Sequence, residues 1–225
     1  SSDKCYKNDD HKQSFHEDMP LGGKDPYSAS KAATELVVKS WQESFFGEQS
    51  EIALCSARAG NVIGGGDWAI NRLLPDICKA FHNQSAAILR NPNSTRPWQH
   101  VLEPLTAYLR IVEWMQRNPK SNKCWNVGPR KTSVKTVVEI ADLCAQNWPN
   151  KNLGWKSSSV SPLFKENETL NLDCSKIEKI IGWTPQLSIQ QAIKWTMLWY
   201  YTYFTKDPDD LYELTRVQID KYLAH

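Results

Sequence analysis

The sequence predicts an α/β fold organised around a parallel sheet. Short apolar segments typical of strands alternate with longer segments in which apolar residues recur at helical spacing. Gly and Pro residues stand between these segments, where the chain must turn. Strands that alternate with helices are joined by crossover connections, and such strands pair in parallel. The predicted fold class rests on this alternation and on the position of the turn residues.

The first helix has the clearest pattern of the predicted elements. Residues 1–6 are expected to end a strand, and the polar, turn-rich residues 7–24 to form a loop. A helix is expected over 27–46, where Pro26 suits the first turn because its missing N–H would have no partner there. The apolar positions that recur at helical spacing in this segment are Ala33, Leu36, Val37, Trp41 and Phe45.

The later elements follow from the same kinds of pattern. Residues 51–59 predict a strand, and the glycines from Gly60 to Gly66 predict a loop at its carboxyl end, where open α/β sheets place ligands. Ser133 and Ser188 are the expected N-caps of two later helices. The remaining helices are expected over 73–81, 103–117, 134–148, 175–181, 189–204 and 207–225, and the remaining strands over 87–89 and 123–127.

Composition argues against several classes of function. The 225 residues carry 27 basic and 25 acidic side chains, a net charge of +2, without a basic run, so no nucleic-acid partner is expected. No apolar run approaches the ~18 residues needed to cross a bilayer, so no membrane partner is expected. The six cysteines form no C-x-x-C pair and are irregularly spaced. We therefore expect reduced, mostly buried thiols and no metal site.

The chemistry of the first helix is concentrated in Tyr27 and Lys31. They stand at i and i+4, so both side chains project from one face of the helix. A phenol has a reference pKa near ~10, and an ammonium group one turn away would stabilise the phenolate and lower that pKa. The pair could then take a proton from a sugar or alcohol hydroxyl and return it. The motif alone occurs often by chance, so its weight comes from the segments around it.

Four segments strengthen this interpretation of the helix. They are Ser2-Asp3-Lys4-Cys5-Tyr6, Leu21-Gly22-Gly23-Lys24-Asp25-Pro26-Tyr27, residues 57–68 and residues 96–104. In this order and spacing they resemble the extended short-chain dehydrogenase/reductase family, in its nucleotide-sugar branch. More narrowly, they are similar to the dehydratases of that branch that act on cytidine diphosphate glucose (CDP-glucose). The resemblance runs from Ser2 almost to the C-terminus.

The resemblance implies a Rossmann-like parallel sheet, of which this chain carries the second part, and a smaller α/β substrate-binding subdomain. Residues 1–62 would belong to the NAD-binding domain, and residues 63–206 to the substrate-binding subdomain interleaved with returning sheet elements. Residues 207–225 would form a helical tail. The family places a Gly-rich βαβ unit, which holds the cofactor pyrophosphate, before the position of Ser1. We therefore expect a C-terminal portion of a longer enzyme, without a complete cofactor site of its own.

The implied reaction is the NAD-dependent dehydration of CDP-glucose to CDP-4-dehydro-6-deoxy-D-glucose, in deoxysugar and O-antigen biosynthesis. Oxidation at C4 makes the C5 proton acidic, water is lost across C5–C6, and the hydride returns to C6. Tyr27, assisted by Lys31, would take the proton of the C4 hydroxyl. Ser2 would share the hydrogen bond to that oxygen, and Asp3 would protonate the departing C6 hydroxyl.

Lys4 is the chief departure from the related dTDP-glucose dehydratases, which have Glu at this position. An ammonium group cannot accept a proton, so two roles stay open for Lys4. A neutral Lys4, with its pKa strongly depressed, could be the base that takes the C5 proton. A charged Lys4 could instead stabilise the enolate while another group takes that proton.

The resemblance also implies which residues bind the cofactor and the substrate. Tyr27, Lys31 and Ala59 would contact NAD. The residues expected to contact the nucleotide sugar are Asn61, Arg72, Leu73, Arg96 and Asn126. Among these, Arg96 matches a diphosphate-binding Arg of the family, and a guanidinium suits forked recognition of phosphate. Asn126 could equally cap a turn, and His100 is expected to be structural.

The family further implies a homodimer formed through the helix that carries Tyr27, and a cytoplasmic location. Two other functions stay open. A 4-epimerase or 4-reductase of the same superfamily would share Tyr27 and Lys31, but it would not need an acid and a base directly after Ser2. An inactive portion that serves as an interaction module would need none of these residues. The Asp3-Lys4 pair favours the dehydratase over the epimerase.

Overall fold

The computed structural model describes residues 1–9, 13–46, 50–119, 121, 123–158 and 170–224, and it confirms the α/β class. The helices are α1 (Pro26–Ser44), α2 (Leu73–His82), α3 (Leu102–Arg117), α4 (Val137–Asn147), α5 (Ser175–Ile181), α6 (Ile189–Thr205) and α7 (Pro208–Leu223). The strands are β1 (Ser56–Ala59), β2 (Asn61–Ile63), β3 (Ala87–Leu89), β4 (Thr95–His100), β5 (Cys124–Val127), β6 (Val134–Thr136) and β7 (Trp155–Ser157). Single turns of 3₁₀ helix lie at Asp3–Cys5 and Lys131–Ser133.

The described strands form three small sheets in which parallel pairing predominates. β1 pairs with β5, and β3 pairs with β7, both in parallel. β2 pairs in parallel with β4, and β4 also pairs antiparallel with β6. Ser2 extends the first sheet through a single parallel bridge to Ala59 at the end of β1. Because Ala59 is also paired with Val127, the N-terminal residues meet the carboxyl ends of β1 and β5 at one edge.

Helix α1 begins as its sequence predicts. The carboxylate of Asp25 accepts hydrogen bonds from the backbone N–H of Ser28 at 3.0 Å and from its hydroxyl at 2.6 Å, and Pro26 occupies the first turn. The helix buries only Ser28, Ala32 and Glu35. Its apolar residues Leu36, Val37, Trp41 and Phe45 are all exposed. The apolar face that the sequence predicts is therefore uncovered in the single chain.

Two hydrophobic cores hold the described elements together. One lies among α2, α4, α6 and β3, and its large buried side chains include Phe81, Met197 and Tyr200. The other lies among β5, α3 and α5, around Trp125 and Ile111. Each core is formed by elements that are far apart in the sequence, so neither corresponds to one continuous stretch of chain.

Glu103, at the start of α3, connects these elements to the C-terminal helix. Its buried carboxylate accepts hydrogen bonds from the backbone N–H of Leu187 and from the hydroxyl of Tyr222, both at 2.6 Å. Leu187 precedes α6, and Tyr222 lies in the last turns of α7. Helix α7 is thereby fixed against α3.

The prediction of a helix over 134–148, capped by Ser133, is wrong at its start. Ser133 closes a 3₁₀ turn, and the next three residues pair with β4 as strand β6. Helix α4 begins at Val137, where Thr136 and Glu139 form a capping box. The hydroxyl of Thr136 accepts from the N–H of Glu139 at 3.2 Å, and the carboxylate of Glu139 accepts from the N–H of Thr136 at 2.8 Å. The capping box therefore fixes the start of the helix three residues after the predicted position.

Two strand predictions also need correction. Residues 1–6 make isolated bridges and turn into a 3₁₀ helix, so the structure places no strand end there. Residues 51–55 lie outside the strand, which begins at Ser56. The loop predicted after Gly60 starts later than expected, because Asn61–Ile63 pair with β4 as strand β2.

The loop between β2 and α2 depends on a glycine at position 65. Gly65 packs against the indole of Trp199 on α6, and a Cβ at this position would overlap that ring. The neighbouring Tyr200 donates a hydrogen bond to the backbone carbonyl of Asp67 at 2.6 Å.

We expect Gly65→Ala to lower the free energy of unfolding by about 1–3 kcal/mol, because the loop or the indole must move. Urea unfolding measures this change. Gly154→Ala is the matched control, since no atom lies within 4 Å of a Cβ there, and equal effects of the two substitutions would contradict the prediction.

Candidate active site

The N-terminal residues form a tight turn beside β1. Ser2 caps the 3₁₀ helix, because its side-chain oxygen accepts a hydrogen bond from the backbone N–H of Lys4 at 3.2 Å. The hydroxyl of Ser2 donates to the carboxylate of Asp3 at 3.0 Å. The turn packs against both α1 and β1. The predicted catalytic residues of the N-terminus therefore lie on an element that contacts the helix of Tyr27 and Lys31.

Asp3 is a buried acid within this turn. It is 3% exposed, and within the described residues its Oδ2 atom has no hydrogen-bond partner. Burial raises the pKa of its carboxyl to about 6, although the hydrogen bond from Ser2 and the positive charges of Lys4 and Arg96 act in the opposite direction. This carboxyl keeps its proton at pH values where an exposed Asp has already lost it, as a general acid near neutral pH requires.

Gly60 brings the junction of β1 and β2 against Asp3. A Cβ at Gly60 would lie 3.6 Å from Oδ2 of Asp3 and 3.1 Å from the carbonyl oxygen of Pro97. The backbone N–H of Gly60 donates to the carbonyl of Val127 at 3.4 Å. The junction is thus packed between β4, β5 and the acid, with little space for a side chain.

Tyr27 and Lys31 share one face of α1, as their spacing predicts. Nζ of Lys31 lies 5.4 Å from the centroid of the Tyr27 ring, within cation–π range. Tyr27 is 49% exposed, so its phenol is accessible from outside the chain. An accessible phenol beside an ammonium group is chemically suited to bind ribose and sugar hydroxyls. These two residues therefore fit the role of holding the nicotinamide ribose of NAD.

A buried ion pair that the sequence analysis missed fixes α1 to β1. Glu35 and Arg58 are 3% and 4% exposed, and Nη2 of Arg58 lies 2.7 Å from Oε2 of Glu35. Ser56 donates to the same oxygen at 2.7 Å, and Arg58 also donates to the hydroxyl of Tyr6 at 2.8 Å. Burial raises the pKa of Glu35, but hydrogen bonds from Arg58 and its neighbours outweigh it and lower the pKa below its ordinary value. Since Glu35 follows Tyr27 by two helical turns, the ion pair sets the position of the Tyr27 face.

The position of Asn126 is at odds with its predicted contact to substrate. Its side-chain nitrogen donates to the carbonyls of Phe15 at 2.8 Å and Asp173 at 3.1 Å. Its side-chain oxygen accepts from the hydroxyl of Tyr6 at 2.6 Å. Asn126 is fully buried, and its side-chain nitrogen and oxygen both have protein partners. The geometry favours a structural role, in which Asn126 joins β5 to the segments before it and after it.

The other predicted binding residues lie on separate elements. Ala59 ends β1 and is buried, and Asn61 opens β2 and is partly buried. Arg96 is buried in β4, near enough to the acid for its charge to lower the acid's pKa. Arg72 is the exposed N-cap residue of α2, and Leu73 is the first residue of that helix. Ala59 and Asn61 thus flank the β1–β2 junction, and Arg96 lies on the strand paired with β2. Arg72 and Leu73 lie apart from them, at the start of the next helix.

His100 has the surroundings of a structural residue. It is buried at the end of β4, and its Nδ1 atom accepts from the backbone N–H of Leu102 at 3.4 Å. Its ring is perpendicular to that of Trp195, with the two ring centroids 5.7 Å apart. Burial lowers the pKa of His100 to about 4, so the ring is neutral at physiological pH.

Three further features concern the described residues only. They contain no group of three or more His, Cys, Asp or Glu side chains that could hold a metal ion. None of the helices in that part of the chain is long and apolar enough to cross a membrane. The six cysteines are free thiols and four of them are buried, as expected.

The fold is that of Rossmann-like enzymes which modify nucleotide sugars. One similar structure is dTDP-glucose 4,6-dehydratase from Bacillus anthracis in complex with NAD, with a TM-score of 0.71 and 18% identity, over 90% of this chain and 60% of that one. Another is UDP-N-acetylglucosamine 4-epimerase from Methanobrevibacter ruminantium, with a TM-score of 0.75 and 19% identity, over 90% of this chain and 62% of that one. At such identities the likeness establishes the fold class.

The family follows from the sequence comparison. The model of the GDP-mannose 4,6 dehydratase family matches residues 1–196. The chain therefore belongs to this family.

Two curated relatives carry more specific names. CDP-glucose 4,6-dehydratase from Salmonella typhimurium is 42% identical over 208 residues, which are 88% of this chain and 57% of that protein. dTDP-glucose 4,6-dehydratase from Haemophilus influenzae is 27% identical, over 83% of this chain and 54% of that protein. The chain spans about half the length of the curated relatives it matches.

Proposed function

We propose that this chain is part of an NAD-dependent CDP-glucose 4,6-dehydratase. The observation that carries the proposal is the buried carboxyl of Asp3, with its pKa near 6, in a turn that packs against the helix of Tyr27 and Lys31. An acid whose pKa lies close to neutral can give up its proton and regain it, which suits the loss of water from a sugar. The 42% identity to a relative named CDP-glucose 4,6-dehydratase supports the choice of cytidine nucleotide.

Each residue of the site has a proposed role in this reaction. Tyr27 takes the proton of the C4 hydroxyl, and Lys31 stands beside it, with its Nζ 5.4 Å from the centroid of the Tyr27 ring. Ser2 positions the same oxygen by a hydrogen bond. Bound NAD supplies the hydride chemistry at C4 and C6. Ala59, at the carboxyl end of β1, contacts that cofactor together with the Tyr27 helix.

Loss of water requires an acid on the C6 oxygen and the removal of the C5 proton. Asp3 donates its proton to the leaving hydroxyl, so that water rather than hydroxide departs. Lys4 is adjacent and acts electrostatically on the carboxyl of Asp3. It serves either as the base or as the charge that stabilises the enolate. Asn61, Arg72, Leu73 and Arg96 are the proposed contacts of the nucleotide sugar.

The two roles of Lys4 can be separated by exchange of the C5 hydrogen with solvent. Lys4→Met removes both the amine and its charge, whereas Lys4→Glu supplies a carboxylate base. Robust exchange in the Met variant would exclude Lys4 as the base. Exchange that is lost in the Met variant and restored in the Glu variant would assign that role to it.

A 4-epimerase or 4-reductase is the second candidate, because solved structures of similar fold include 4-epimerases. Such an enzyme needs Tyr27 and Lys31, but it has no use for a protonated acid beside Ser2. The burial of Asp3 therefore favours the dehydratase. The third candidate, an interaction module without activity, would not need the Tyr27–Lys31 arrangement.

We further propose that the enzyme acts in the cytoplasm as a homodimer, in deoxysugar synthesis for O-antigen. The exposed apolar face of α1 supports the dimer, because Leu36, Trp41 and Phe45 would be covered by a second copy. Sedimentation of the full-length protein tests this assignment. A monomer at micromolar concentration would contradict it.

The proposal is tested with the full-length protein, NAD and CDP-glucose. We expect a 4-keto-6-deoxy product that has lost one water by mass spectrometry and carries solvent deuterium at C5 by NMR. dTDP-glucose and UDP-glucose are the comparison substrates, and they should react more slowly. A product that is inverted at C4 without loss of water would identify an epimerase. Binding without turnover of any of the three would favour the interaction module.

A further inference from the structure

Gln99, on β4, is a buried amide with only one side of its hydrogen-bonding capacity in use. It is 2% exposed. Its Nε2 atom donates to the backbone carbonyl of Val127 at 3.0 Å. Within the described residues its Oε1 atom has no partner. Burial of a half-paired amide is unfavourable.

The bond from Gln99 reaches the junction that covers Asp3. The carbonyl of Val127, at the end of β5, accepts from Gln99 and also from the backbone N–H of Gly60. Gly60 in turn lies close to Asp3. A Cβ added at Gly60 would be 3.6 Å from Oδ2 of Asp3 and 3.1 Å from the carbonyl oxygen of Pro97. A chain of contacts therefore runs from the amide through Val127 and Gly60 to the buried carboxyl.

We propose that Gln99 is a positioning residue for Asp3, which holds the ends of β1 and β5 closed over the carboxyl through the shared carbonyl of Val127. This inference rests on the proposed function, since it concerns the acid of that reaction. Only a side chain with a terminal N–H donor of this length can make the bond from β4. An aliphatic side chain of the same size would fill the space, but the carbonyl of Val127 would then be held to the junction only by its 3.4 Å hydrogen bond from the N–H of Gly60.

The charged and titratable groups near Asp3 take no part in the hydrogen bond between Gln99 and Val127. Lys4 and Cys5 belong to the same 3₁₀ turn, and Arg96 lies on β4. The carboxylate of Asp25, the N-cap residue of α1, interacts electrostatically with Lys4. A substitution at Gln99 leaves all of these groups in place. It changes the burial of the carboxyl, which is the main cause of its raised pKa.

The test is Gln99→Met, which keeps the volume of the side chain and removes the donor. The pKa of Asp3 is measured in the full-length protein by carbon-13 NMR of the carboxyl, assigned with Asp3→Asn. We expect the pKa to fall from about 6 by at least about one unit, a tenfold change in the ionisation constant, because water reaches the carboxyl. The alkaline limb of kcat/KM for CDP-glucose should move by the same amount.

Gln218→Met is the matched control. Gln218 is also buried, and its Nε2 donates to the carbonyl of Trp195 at 3.1 Å, but it lies on α7. This substitution removes a bond of the same kind from another part of the fold. It should leave the pKa of Asp3 unchanged.

A folded Gln99→Met protein whose Asp3 has the parental pKa would overturn the proposal. If this variant does not fold, Gln99→Asn takes its place, because its amide is one methylene too short to reach the carbonyl of Val127. The pKa of Asp3 should again fall, and an unchanged value would overturn the proposal. Absence of dehydratase activity in the parent protein would refute the proposed function, but the NMR shift would still support the positioning of Asp3.

Discussion

Asp3→Asn should make the protein inactive and more stable at neutral pH. The amide keeps the shape of the carboxyl but cannot protonate the leaving hydroxyl, so we expect kcat in the full-length enzyme to fall by about 10²–10⁴. In the proposed reaction, oxidation at C4 does not involve Asp3. A burst of NADH without dehydrated product is therefore expected from the variant.

The gain in stability follows from the raised pKa of Asp3. The carboxyl titrates near pH 6 in the folded protein and near its ordinary value of 3.8 in the unfolded chain. Below pH 3.8 both states are protonated, and burial carries no penalty from ionisation. Between pH 3.8 and 6 the unfolded chain ionises while the folded protein does not, so the free energy of unfolding falls, by about 3 kcal/mol in total once the pH is above 6. Asn removes this penalty, so the variant should be more stable by about 2–3 kcal/mol at pH 7.

Urea unfolding at pH 7 and at pH 4 measures this difference. The gain should be largest at pH 7 and nearly absent at pH 4. Asp18→Asn is the control, since the side chain of Asp18 is exposed and the change should have little effect at either pH. An Asp3→Asn protein that is less stable than the parent at pH 7 would show that the carboxyl is stabilised by its surroundings rather than strained by burial.

The activity of the parent enzyme should depend on pH in the same sense. With Asp3 as the proposed general acid, kcat/KM should decline as the pH rises above about 6. The decline should be tenfold per pH unit once Asp3 is the titrating group. Residual activity of Asp3→Asn should lack this limb.

Glu35→Gln should cause the largest loss of stability among single substitutions near the site. The change removes the negative partner of Arg58, which is then left as a buried charge without an ion-pair partner among the described residues. Breaking a buried pair in this way costs about 3–5 kcal/mol. Because the pair also fixes α1 to β1, we expect kcat to fall together with stability.

Glu43→Gln on the same helix is the matched control. Glu43 pairs with Lys39 at 3.8 Å, and both side chains are exposed. Such surface pairs contribute about 0.3–0.5 kcal/mol. If Glu35→Gln and Glu43→Gln gave the same urea midpoint, the buried pair would not be what holds α1 in place.

The helices could largely be predicted because their starts carry local signals. Asp25 and Pro26 mark the start of α1 within two residues, and Ser188 marks that of α6. Strand β6 could not be found in this way. Its three residues are too few to show an alternating pattern, and their strand conformation depends on pairing with β4.

The site was predictable only where a motif marks it. Ser2, Asp3 and Tyr27 belong to recognisable motifs, whereas the Glu35–Arg58 pair joins residues that no local pattern connects. One sequence feature could have pointed to Glu35, because it continues the i+4 spacing of Tyr27 and Lys31 along the helix. Asn126 was predicted to bind substrate, but its side chain has protein partners. The sequence alone does not show whether a buried amide binds a ligand or holds neighbouring segments together.

The strand pairing also determines the order in which the chain can fold. Three of the four strand pairs among the described residues are parallel, and in each of the three at least one helix lies between the partners in the sequence. Closing such long loops is slow compared with helix formation. The edges of β1 and β5 therefore stay unpaired while the helices are already formed. During this interval the newly made chain exposes strands that can pair with other molecules, so refolding at high concentration should favour aggregates over the native sheet.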